Sequence, residues 1–310
     1  MGKRIFLHLG AHKTATTFLQ ANITSNSALL KKMNWRFLKL HRERRDVADE
    51  IRRVWMEGTT SISSRQIVDT FFAEVRDETR NVFLSCEILL GGMDLRATGR
   101  LYPEALRLSQ HLKDYLIGED ISVGYCIRNY ADYAESSYNF LVTLGAAYEF
   151  DDYIETITSD SMSWLPVLES LTSIFGKDKL HIWEYETFSL DPASALLKIL
   201  QAAGIDASEF KVDLDKKNLS YQVDCVPVAV SWNKLLNSRF TSESKRAKRL
   251  RRAMRELLLC LPPHVDAASL LPNDLRLTLD RKYRKDLAII HERWDTSLLD
   301  FSSPSPEVHV

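Results

Sequence analysis

Residues 8–20, HLGAHKTATTFLQ, place a glycine, a lysine and a run of threonines in the turn between an apolar run, Ile5 to Leu9, and a segment with helical spacing. Such a turn is equipped to hold an anion. N–H groups at a helix start point outward, the helix dipole favours negative charge there, and Lys13 adds a mobile point charge. A second set follows: the apolar run Val123 to Ile127 ends in Arg128, and Ser136 lies eight residues on, within RNYADYAESSYNF. An arginine at a strand end can present its planar fork to a phosphate, and a serine on the following helix can add a hydrogen bond. Glu87 closes a third apolar run in VFLSCE, and ligand sites of parallel sheets gather at the carboxyl ends of strands. Finally, KRAKRLRRAMR, residues 245–255, carries seven basic residues and no acid. Exposed helix faces usually mix signs, so a one-sign helix suggests an anionic neighbour.

The elements that must position these residues follow from hydrophobic periodicity. Strands are expected at Ile5–Leu9, Val82–Leu84, Ile121–Ile127 and Leu180–Trp183. Helices are expected at Thr16–Leu30, His41–Met56, Ser64–Arg80, Pro103–Leu116, Tyr130–Leu144, Trp164–Phe175 and Pro192–Ala203, the last started by Asp191-Pro192. Continuous apolar strands separated by helices predict an α/β fold with a central parallel sheet covered on both faces. After about Asn218 only helical signals continue, at Val228–Leu236, Ser242–Leu259 and Leu275–Trp294. The expected organisation is a single domain: an α/β core over 1–217, a helical appendage over 218–300, and a frayed tail over 301–310 containing Ser-Pro-Ser-Pro.

Composition excludes several classes. With 310 residues, 45% apolar and 27% charged, the chain is an ordinary globular protein, neither disordered nor fibrous. Its 41 basic and 42 acidic residues nearly cancel, so it is not a whole-surface nucleic-acid binder, and any anion must be held by a local site. The four cysteines are scattered without a CxxC pair, which argues against a zinc site or disulfide framework and for a reducing cytoplasm. No stretch approaches the roughly 20 apolar residues of a membrane span. A soluble cytoplasmic protein is expected.

The phosphate loop of nucleotide kinases and GTPases, GxxxxGK followed by Ser or Thr, needs a glycine before its lysine, where His12 stands here. Instead KTATT resembles the KTGTT or KSGTT loop of sulfotransferases that use 3′-phosphoadenosine 5′-phosphosulfate, and the resemblance implies their three-layer P-loop-like fold. Ala15 replaces the usual glycine, which is tolerable only if that residue keeps φ negative. The resemblance implies a donor site made by His12, Lys13, Thr14, Ala15, Thr16, Thr17 and Phe18. Lys13 would contact the bridging oxygen of the leaving 5′-phosphate, the threonines would hold that phosphate, and Phe18 would stack on adenine. Arg128 and Ser136 match the pair that reads the 3′-phosphate, and Tyr185 in WEYETFSLDP sits where some members contact adenine. Asn218-Leu219-Ser220 is a weaker match.

The acceptor hydroxyl must lose its proton as it attacks sulfur, so a general base is needed. Glu87 is the candidate, as glycan-modifying members generally use a glutamate in this region; His8 and His12 are rivals. The glutamate points to a carbohydrate or glycolipid acceptor, and no metal is required. The basic stretch 245–255 could close over the 3′-phosphate, attract an acidic glycan or lie against an anionic membrane at its inner face. It lacks the aromatic interleaving of nucleic-acid sites. Two other readings stay open: a kinase using magnesium-ATP, for which VFLSCE offers no metal-holding aspartate, and a noncatalytic nucleotide-binding or membrane-surface protein.

Overall fold

The computed structural model describes residues 2–40, 45–59, 61–158, 161–214, 221–241, 244–261 and 269–301. Strands β1 (Arg4–His8), β2 (Trp35–Lys39), β3 (Asn81–Ser85), β4 (Asp120–Ile127) and β5 (Leu180–Glu184) pair in parallel in the order β2-β3-β1-β4-β5. Around them run α1 (Thr16–Ser25), α2 (Ile62–Asp77), α3 (Ala105–Tyr115), α4 (Tyr130–Leu144), α5 (Leu165–Phe175), α6 (Pro192–Ala202), α7 (Val226–Arg239), α8 (Lys245–Leu259) and α9 (Asn273–Arg293).

Successive strand residues face opposite layers. Ile5, Leu7, Val82 and Leu84 join one apolar cluster with Phe72, Leu108 and Leu168 from α2, α3 and α5. Phe6, Phe83 and Trp183 join a second with Leu19, Ile23 and Leu196 from α1 and α6. Each fully buried aliphatic or Phe side chain contributes about 1.5–3 kcal/mol, so the continuous apolar runs are what fix the sheet in the middle. Gly124 interrupts the run in β4 for a steric reason. A Cβ there would lie 2.7 Å from the Phe6 ring and 3.0 Å from Trp183.

The C-terminal helices share this core: Val226, Leu258, Leu279 and Ile290 belong to the same cluster as Ile5. Phe301 packs against the second cluster. Residues 302–310 and the Asn218–Ser220 turn lie outside the described residues. Asp191 caps α6 as expected, its carboxylate accepting from the Ser194 N–H at 3.1 Å.

Three elements differ from the sequence reading. Trp35–Lys39 is a strand, β2, at the sheet edge, where Arg36 can reach Glu78 at 2.8 Å. The helix expected over Thr16–Leu30 breaks at Asn26, whose side-chain amide donates to the carbonyls of Asn22 and Lys211, each at 2.9 Å; a short second helix, Ser27–Lys32, follows. Of the helix expected over His41–Met56, Arg45–Ile51 is α-helical and Arg52–Met56 is a π-helical turn, with 41–44 outside the described residues.

Candidate functional site

The chain leaving β1 crosses to β2 on one side of the sheet, and the chain leaving β4 crosses to β5 on the other. Ligands of open α/β sheets bind in the crevice such a divergence leaves beyond the strand ends. The loop carrying Lys13, after β1, and the segment starting at Arg128, after β4, both emerge there. The loop after β1 first follows β4, with Leu9 N–H donating to Gly124 O at 3.0 Å and Ala11 N–H to Cys126 O at 3.4 Å. Gly10 is required by the His8 imidazole beneath it, whose Nε2 would lie 2.9 Å from a Cβ. The loop then folds on itself, the Thr14 hydroxyl donating to Ala11 O at 2.5 Å.

Ala15 corrects the expectation of a negative φ: it is left-handed, at φ 61°, as is Lys13 at φ 65°. A side chain in that region costs about 1–2 kcal/mol, which explains why the related loops place glycine at this step. No side chain caps the amino end of α1 that follows, so its first N–H groups are left to solvent or a ligand. Thr16 is buried, and its hydroxyl finds no hydrogen-bond partner among the described residues. Thr17 is half-buried beside it. Phe18 packs edge-on against Phe188, with ring centroids 5.9 Å apart.

Arg128, at the end of β4, donates from Nη1 to the Lys13 carbonyl at 2.5 Å. Its guanidinium lies 4.3 Å over the Tyr185 ring, while its Nε is buried without a hydrogen-bond partner among the described residues. The structure thus brings Lys13, Arg128 and Tyr185 together. The Lys13 ammonium lies 4.8 Å over the Phe140 ring of α4. Burial lowers its pKa to about 8, assisted by the nearby Arg128 and Arg255 charges and opposed by Glu87. Glu87 is therefore within electrostatic reach of Lys13; it opens a short 3-10 turn, Glu87–Leu90, directly after β3.

A lysine depressed in this way should take up a proton when an anion arrives. Between pH 8 and 10 free Lys13 is largely neutral, and a bound phosphate favours its charged form. Binding of adenosine 3′,5′-bisphosphate is expected to weaken as pH rises above 8. Calorimetry at pH 8.5 in two buffers of different ionisation enthalpy should register proton uptake that Lys13→Ala removes.

The histidines take different roles. His8 is fully enclosed; its Nδ1 pairs with Ser85 Oγ at 2.8 Å, its ring stacks on Trp183, and burial lowers its pKa to about 3. It is a neutral support under the loop. His12 is held by a residue with no signal in the sequence, Tyr102. The Tyr102 oxygen accepts from the His12 N–H at 2.8 Å and from the Tyr133 hydroxyl at 3.2 Å. The Tyr102 hydroxyl also pairs with His12 Nδ1 at 2.6 Å. Tyr102 holds φ at 42°, an uncommon backbone for a bulky residue.

Beside Arg128, a cleft of about 230 Å³ is lined by Asp132, Glu135, Ser136 and Asn139 of α4 together with Tyr221 and Leu270. Arg128 and Ser136 thus share one concavity. The basic helix α8 is less uniform than its sequence. Arg251 is buried against Asn233 and Asn237, and Arg255 is half-buried within electrostatic reach of Lys13. Lys245, Arg246, Lys248, Arg249 and Arg252 are exposed. Among the described residues no helix is long and apolar enough to cross a membrane.

A family model for the sulfotransferase domain matches residues 9–252. The chain belongs to the sulfotransferase family. The matched span contains the loop after β1, Glu87, Arg128, Ser136 and Tyr185. Two solved sulfotransferases are similar in structure. The sulfotransferase from Alicyclobacillus acidocaldarius shares 16% identity at a TM-score of 0.45, over 82% of this chain and 100% of its own. The sulfotransferase domain of the Synechococcus PCC 7002 olefin synthase shares 13% at a TM-score of 0.38, over 91% of this chain and 94% of its own. No curated protein matches this sulfotransferase.

Proposed function

We propose that this sulfotransferase takes 3′-phosphoadenosine 5′-phosphosulfate as its donor and transfers the sulfuryl group to a hydroxyl of a carbohydrate or glycolipid. The observation that carries the reading is the Arg128 guanidinium bound at 2.5 Å to the backbone carbonyl of Lys13, in the loop that leads into the uncapped start of α1. Two buried donors support the fit: the Thr16 hydroxyl and Arg128 Nε, neither hydrogen-bonded among the described residues. Leaving such a group unpaired costs about 1–3 kcal/mol, and anionic phosphate oxygens are the partners that satisfy both.

In this reading the amides of Thr14, Thr16 and Thr17 hold the 5′-phosphate, and Arg128 and Ser136 hold the 3′-phosphate at the cleft. His12 orders the loop, Ala15 turns it, and Phe18 and Tyr185 offer rings to the adenine. When bound, the donor supplies an activated sulfuryl group. The Lys13 ammonium stabilises charge growing on the bridging oxygen as the sulfur–oxygen bond breaks, and Glu87 accepts the proton of the acceptor hydroxyl attacking in line. A loose, charge-spread transition state needs this positioning and cationic stabilisation more than covalent catalysis.

Arg128→Ala should weaken binding of adenosine 3′,5′-bisphosphate by on the order of 2 kcal/mol, as for a charge-assisted contact, and calorimetric titration reads it directly. Unchanged affinity removes Arg128 from the phosphate site. The function itself is tested by incubating the protein with 3′-phosphoadenosine 5′-phosphosulfate and separate carbohydrate, glycolipid and phenol panels. Sulfated carbohydrate or glycolipid supports the reading; turnover confined to phenols overturns the acceptor class.

A further inference from the structure

We propose that Arg276, on α9, is a specificity-determining residue that permits a 3′-phosphate by bridging two acids of the cleft wall and offsetting their charge; the inference rests on the donor reading above. Asp132, Glu135, Ser136 and Asn139 are spaced at i, i+3, i+4 and i+7, so α4 turns all four to one side, and all four line the cleft beside Arg128. A site for a doubly charged phosphate therefore has two carboxylates in its wall. Uncompensated, they would offset Arg128 and repel the ligand.

The guanidinium of Arg276 spans both acids, Nη1 to Asp132 Oδ1 at 3.0 Å and Nη2 to Glu135 Oε2 at 2.7 Å. Its Nε donates to Ser269 Oγ at 3.2 Å. The second oxygen of Glu135 accepts from the Leu271 N–H at 2.9 Å and from the Ser269 hydroxyl. Leu270, between those two anchors, lines the cleft. On the same face of α4, Asn139 exchanges two hydrogen bonds with the Tyr221 backbone at 2.8 and 3.0 Å, which fixes Tyr221 at the cleft. Arg276 thus acts through its partners. Its one positive charge offsets one of the two carboxylate charges and Arg128 offsets the other, so the wall does not repel a phosphate, and the ties through Glu135 and Ser269 hold Leu270 at the rim.

The test compares adenosine 3′,5′-bisphosphate with adenosine 5′-monophosphate by calorimetric titration of the full chain. Arg276→Met should weaken the bisphosphate about tenfold or more, while the monophosphate, which lacks the affected group, keeps its affinity. Adding Asp132→Asn and Glu135→Gln to that variant should restore the bisphosphate. In the Arg276 background the same two neutralisations should tighten it, which keeps the test decisive if Arg276→Met does not fold. Equal losses for both nucleotides, or no recovery on neutralising the acids, would make Arg276 a structural tie and overturn the proposal. A wild-type protein that does not prefer the bisphosphate would instead overturn the donor reading beneath it.

Discussion

Lys13→Ala should lower turnover by roughly a hundredfold or more, the effect of removing one preorganised transition-state donor. The expectation rests on where the ammonium is held. Burial and the Arg128 and Arg255 charges lower its pKa to about 8, so it is poised to gain interaction energy as negative charge develops beside it. The same shift has a consequence for stability. An unfolded lysine titrates near 10.5, so the folded state is penalised fully below pH 8 and the penalty fades as pH rises from 8 to 10.5. The ligand-free Lys13→Ala protein should therefore be at least as stable as wild type at pH 7 in thermal melts, while turnover collapses. A variant that unfolds, or one that keeps near-normal turnover in a donor-saturated assay, contradicts the role.

Glu87→Gln should reduce turnover by about 10²- to 10⁴-fold, the span that a positioned acid or base commonly contributes, while leaving bisphosphate affinity within about twofold. The amide keeps the shape of the side chain but cannot take the acceptor's proton. Steady-state rates at saturating donor, beside calorimetric affinity, separate the two effects. Near wild-type turnover in the glutamine variant would remove Glu87 as base. Attention would then turn to His12, since His8 is enclosed and its pKa is lowered to about 3. His12 Nδ1 is already paired with the Tyr102 hydroxyl at 2.6 Å.

The parts of this architecture that were legible in sequence share a physical cause. Strands buried on both faces, such as Ile5–Leu9 and Ile121–Ile127, must be continuous apolar runs, and the loop chemistry sits at their ends. The edge strand β2 was not legible, because WRFLK has only one neighbour, β3, and can carry Arg36 and Lys39 within the strand. The break at Asn26 depends on bonds to residues near 211, far away in sequence. For the site, Lys13, Glu87 and Arg128 could be read because each follows a strand. Tyr102 and Arg276 could not. Tyr102 acts through a hydroxyl that meets the loop only after folding, and Arg276 meets Asp132 across 144 positions of chain. The left-handed backbone of Ala15 was foreshadowed only by the glycine that related loops carry there.

The most direct measurement is a calorimetric titration of the purified protein with adenosine 3′,5′-bisphosphate, adenosine 5′-monophosphate and magnesium-ATP side by side. Lys13, the start of α1 and the Arg128–Ser136 cleft together predict that the bisphosphate binds most tightly, without added metal. Preference for magnesium-ATP, or equal affinity for bisphosphate and monophosphate, would contradict the assignment of Arg128 and Ser136 to a 3′-phosphate.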